Sequence, residues 1–75
     1  MDLKEFIENF AAEFDETPIE AFAPETEFKA LDEWNSLTAL SIIAMVDDAY
    51  DKTITGANLR ACKTIEDLFN FVSSL

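Results

Sequence analysis

Leu3, Phe6, Ile7, Phe10, Ala11 and Phe14 recur at helical spacing, and Lys4, Glu5, Glu8, Asn9 and Glu13 fall off the stripe they form. An apolar stripe with a charged back is the pattern of a helix packed on a core. Asp2 stands where a side chain caps the first turn. The run "DETP" is expected to end this helix, because the residue before Pro18 is pushed out of helical geometry. With one Gly and two Pro in 75 residues, the chain lacks the turn residues of an all-β fold. Its 49% hydrophobic content, with seven Phe, is too high for a disordered segment despite a net charge of −11. A single domain over residues 1–75 is expected, near the size at which one core barely suffices.

Residues 15–35 lack sustained periodicity and hold both prolines, Pro18 and Pro24. The segment is long for a loop in a compact domain. It also carries Ile19, Phe22, Phe28, Leu31 and Trp34, so it is expected to be packed down, with a short helical turn near Ile19–Phe22. A second helix reads from Ser36 to about Tyr50, with Ser36 as its expected N-cap. "DKTITG" then breaks the pattern, and a short helix is expected from Gly56 to Ala61. A last helix follows Thr64, with Ile65, Leu68, Phe69 and Val72 on one face and Thr64 and Asp67 at cap-and-N3 spacing. The fold class expected is all-α: a small four-helix bundle with a long structured first loop and a short third helix.

Sixteen acids against five bases repel nucleic acid, which requires a basic footprint. Anionic membrane surfaces are disfavoured for the same reason. The balance favours partners with basic patches. No apolar run approaches the roughly 20 residues of a membrane-spanning helix, and the first residues lack the basic region of a signal peptide, which points to the cytoplasm. The chain has no histidine and one cysteine. That removes the commonest general base, and zinc would need several N or S ligands. The acidic run from Asp47 fails as a calcium loop, with Lys52 where Gly is needed and Asn58 where Glu is needed. Cys62 reads as a small buried apolar residue, and Trp34 as a packing residue that pins the end of the loop.

At about 100° per residue, Ala39, Ile42, Ile43, Val46, Ala49 and Tyr50 share one side of the second helix. Leu37, Leu40, Ser41, Ala44, Asp47 and Asp48 share the other. A helix on a small bundle needs one buried stripe, so Leu37 and Leu40 exceed what the core requires. They either pack under the apolar loop or form a docking strip bordered by Asp47 and Asp48. Their exposure separates the two.

"NSL" at Asn35, Ser36 and Leu37 is similar to the Asp-Ser-Leu signature of the acyl carrier protein family, within the phosphopantetheine-dependent carriers. "IIAMVDDAYDKTI" resembles that family's second helix and its acidic end, and "TIEDLFNFV" resembles its final helix. The likeness covers essentially the whole chain. It implies a carrier that is not an enzyme, with 4'-phosphopantetheine esterified to Ser36 from coenzyme A by a phosphopantetheinyl transferase. The arm's thiol would hold acyl groups as thioesters, in fatty-acid synthesis or a specialised lipid or polyketide pathway. The second helix, with Asn35, Leu37, Leu40, Ser41, Ala44, Asp47 and Asp48, would meet acyl-transferring or synthase enzymes that carry basic patches. The carrier is expected to be a monomer. An amino-acyl carrier and an unmodified acidic adaptor are the alternatives.

Three positions depart from the family's pattern. Asn35 stands where Asp is usual, which keeps an acceptor but loses a charge-assisted bond to a basic partner. Thr38 and Ser41 stand where many fatty-acid carriers have acids, so the acidity of the second helix gathers at its C-terminal end.

Overall fold

The computed structural model describes residues 1–75. Four helices form: α1 (Leu3–Ala11), α2 (Ser36–Tyr50), α3 (Gly56–Ala61) and α4 (Ile65–Ser73), with no strand. The all-α bundle with a short third helix is therefore as expected. No helix is long and apolar enough to cross a membrane.

Fifteen side chains are buried and all are apolar, counting Cys62. Phe6 and Phe10 of α1, Ile42 and Val46 of α2, Leu59 of α3, and Ile65, Leu68 and Val72 of α4 meet in one cluster. Stripes at i, i+3, i+4 and i+7 bring one face of each helix to that centre. Phe6 lies tilted against Tyr50 and edge-on to Phe69, at centroid distances of 5.7 and 5.6 Å, which joins α1 to both α2 and α4.

The 24 residues between α1 and α2 are a packed segment, as their apolar content predicts, except that Ile19 is exposed. Single 3₁₀ turns form at Ile19–Ala21 and Phe28–Ala30; only the first was anticipated by the pattern. Phe14, Phe22 and Phe28 are buried and surround Phe10 at 5.5–6.2 Å in stacked and edge contacts, and Phe14 lies tilted on Phe22 at 5.0 Å. The segment also closes the start of α4. Ile65 N donates to Thr26 O at 3.1 Å and Glu66 N to Pro24 O at 2.9 Å. Those amides have no partner inside their own helix. Thr64 and Asp67 complete a capping box, as their spacing predicts.

Three expectations need correction. α1 ends at Ala11 rather than at "DETP". Glu13 N and Phe14 N bond to the carbonyls three residues back, at 3.2 and 3.0 Å, and this tightened turn delivers Phe14 to the core. In α2, Met45 is buried and Ala49 is exposed. The buried face is rotated toward Met45, because Ala39 and Ile43 border a groove against α3 and are only half-buried. In the last turn Tyr50 makes the contact with α1, also accepting a 2.9 Å bond from Asn9 Nδ2. The third correction concerns the cap of α2.

Candidate functional site

The N-cap of α2 is Asn35, not Ser36. Asn35 is extended (φ −156°, ψ −174°), and its Oδ1 accepts from Leu37 N at 2.9 Å and Thr38 N at 3.0 Å. Asn ranks with Ser and Asp as a capping residue, so the one-residue shift is a matter of which side chain reaches the free amides. The shift has a chemical consequence. Ser36 becomes the first helical residue, exposed, and its hydroxyl enters none of the hydrogen bonds around the helix start.

The turn before Ser36 is held from three sides. Trp34 packs edge-on against buried Phe28, with ring centroids 5.0 Å apart and planes at 68°. That is the pinning role expected of it. Thr38 Oγ1 donates to Glu33 O at 2.6 Å and lies 3.3 Å from Asn35 Oδ1. The Glu33 carboxylate accepts from the amides of Asp15, Glu16 and Thr17 and from the Thr17 hydroxyl, with the first two at 3.1 and 2.9 Å. Three successive amides turned on one carboxylate are an anion nest filled by the chain itself. The Thr17 hydroxyl, aided by the Glu16, Thr17 and Asp15 amides, holds the Glu33 carboxyl below its usual range against a desolvation that pushes the other way. Sequence reasoning missed Glu33. It is one of seven acids among residues 15–35, and nothing local sets it apart from the other six.

Beyond Ser36 the exposed side of α2 carries the residues its spacing predicts. Leu37 is 73% exposed and Leu40 61%, so they do not pack under the loop. Ala44, Asp47 and Asp48 are exposed on the same side, and Ser41 is half-buried, its hydroxyl bonded back to Leu37 O at 3.2 Å. Asp47 lies eleven residues from Ser36, or about 16 Å along the axis at the helical rise. The first three turns of α2 hold no charged residue. Acids from elsewhere fill part of that gap: Glu13, Asp15, Glu16 and Asp32 border a polar hollow beside Leu37 and Thr38. On the other flank a groove of about 490 Å³ opens between α2 and α3, with Trp34, Ser36, Ile43 and Leu59 among its lining residues.

Cys62 is buried and lines neither the groove nor the polar hollow. Desolvation pushes its thiol up, Asp67 adds to that, and Lys29 opposes it. A thiol so placed is a packing residue, in line with the sequence expectation.

Against known proteins, one family profile matches, described as a phosphopantetheine attachment site, over residues 5–72. No curated protein and no solved structure matches the chain.

Proposed function

Because the chain belongs to the phosphopantetheine-attachment family of carrier domains, we propose that Ser36 is its attachment residue and that the protein is an acyl carrier serving fatty-acid synthesis or a specialised lipid or polyketide pathway. The observation that carries this reading is the division of labour between Asn35 and Ser36. Asn35 satisfies the helix amides and Ser36 offers an exposed, unengaged hydroxyl at a rigid helix start.

The residues present fit the group. An ester at Ser36 Oγ displaces no hydrogen bond of the fold, and the neighbouring helix start favours the negative charge of a phosphodiester. The apolar groove beside Ser36 gives an attached arm a surface to lie against. When bound, 4'-phosphopantetheine supplies a thiol that holds acyl groups as thioesters. The chain's own part is to present Ser36 and to dock. With no histidine in the sequence, deprotonation of Ser36 falls to the phosphopantetheinyl transferase.

Docking belongs to the exposed side of α2. Leu37, Leu40 and Ala44 form a small apolar strip, with Asp47 and Asp48 at its far end and Asn35 and Ser41 beside it. An apolar centre with a charged rim suits synthase and acyl-transferring enzymes that carry basic patches.

Co-expression with a broad-range transferase, followed by intact mass, tests the reading. A single phosphopantetheine adduct that vanishes in Ser36→Ala is expected. A folded native chain that stays unmodified with several transferases sinks it and favours the unmodified adaptor.

A further inference from the structure

The groove between α2 and α3 has a charge pattern unlike the rest of the molecule. Trp34, Ala39, Leu40, Ile43 and Leu59 supply its apolar walls. Its charged residues are Lys29 and Arg60, and none of its ten lining residues is acidic. The chain has sixteen acids and only five bases, so two of those five border the groove that opens at Ser36.

Both cations are placed by the fold. Lys29 Nζ donates to Arg60 O at 2.7 Å, which ties the long segment to the last turn of α3 and gives one of its free carbonyls a partner. The Arg60 side chain runs back along α3, as helical side chains do. Its guanidinium lies by Gly56, where an added Cβ would sit 3.4 Å from Nη1. The two carboxylates that accept the most backbone amides are committed elsewhere: Glu33 to residues 15–17 and Asp67 to the start of α4.

Lys29 and Arg60 are exposed, so they stay hydrated beside a plain hydrocarbon tail and add nothing to its binding. Apolar walls with a cationic border match a ligand whose carbon skeleton lies on Trp34 and Ile43 and whose end is an anionic oxygen group. The arm's own phosphodiester is the competing anion, because Ser36 lines the same groove as Lys29 and Arg60, and the titration below separates the two. We propose that this groove seats an acyl thioester whose far end is a carboxylate, and that Lys29 and Arg60 select it over an uncharged chain of equal length. The proposal rests on the reading of Ser36 as the attachment point.

The test uses the unmodified chain, so that groove and attachment are judged apart. Glutaryl-pantetheine, hexanoyl-pantetheine and 4'-phosphopantetheine are titrated into ¹⁵N-labelled protein. The glutaryl thioester is expected to move the Ala39, Ile43 and Leu59 amides and to bind about fivefold more tightly than the hexanoyl one, the scale of exposed ion pairs. The gap closes in K29Q/R60Q and at high salt. R60Q alone keeps the Lys29 bond to the backbone and serves if the double variant melts early. Hexanoyl binding as tight as glutaryl overturns the proposal. So does a gap that survives in the variants, an equal response to 4'-phosphopantetheine, or no shift with any ligand. Absence of a mass adduct at Ser36 overturns the attachment reading alone, since the titration does not require it.

Discussion

Asn35 caps the helix that Ser36 begins, so the two neighbours divide a task that one serine would otherwise have to perform. The cap is worth about 1 kcal/mol by the usual cost of Asn→Ala at such a position. Asn35→Ala is therefore expected to lower stability by about that amount in urea melts and to slow modification of Ser36. Asn35→Asp keeps the acceptor and adds a charge that favours the helix N-terminus by about 0.3–1 kcal/mol. It is expected to match or exceed the native stability and to lower the transferase KM through a charge-assisted contact. A KM unchanged in N35D would remove this position from the transferase interface.

Glu33 gives the region a pH dependence of defined sign. Its carboxyl is held below the ordinary value of 4.5 by the Thr17 hydroxyl and by the amides of residues 15–17. A group whose folded pKa is depressed contributes stability above its unfolded pKa and loses it as pH falls through the folded value. The stability difference between the native chain and Glu33→Gln is thus expected to be full above about pH 4.5 and to shrink toward zero below it. Urea melts at a series of pH values read this directly. A difference independent of pH would mean that the Glu33 charge plays no part in holding residues 15–17.

Exposure separates the two leucines of α2 from Ile42. Leu37→Ala and Leu40→Ala act on side chains 73% and 61% exposed, and are expected to change stability by no more than about 0.5 kcal/mol. Ile42→Ala empties a fully buried site and is expected to cost about 2–5 kcal/mol. Transferase and partner-enzyme assays should show the reverse order of loss, with Leu37 the more sensitive because it adjoins Ser36. A Leu37→Ala protein that melts like the Ile42 variant would show that the leucine packs after all.

What the sequence made legible follows from the range of the forces involved. The helices and the box of Thr64 and Asp67 depend on spacings of three and four residues, and these read directly. The exposed strip of Leu37 and Leu40 was half legible. Periodicity separated it from the core, but only the path of the long segment decided whether something covered it. Met45 was missed because burial on α2 depends on how far the short α3 reaches across the helix. Glu33, Lys29 and Arg60 were missed for a simpler reason. Their partners lie 16 to 31 residues away, and no local pattern marks a carboxylate that finishes on a distant turn.

Cys62 should stay silent while the chain is folded. Burial raises its thiol above the ordinary value, and the Asp67 charge works in the same direction, so little thiolate forms near neutral pH. Alkylation of the unmodified native chain at pH 8 is expected to be slow and to become fast on adding denaturant. An arm attached at Ser36 would add a second thiol, so modified protein is expected to gain one rapidly labelled site that Ser36→Ala abolishes and Cys62→Ala preserves. Fast labelling of the unmodified chain that Cys62→Ala removes would show that the region around Cys62 opens readily. The packing between α3 and α4 would then be looser than the burial of Leu59 and Ile65 implies.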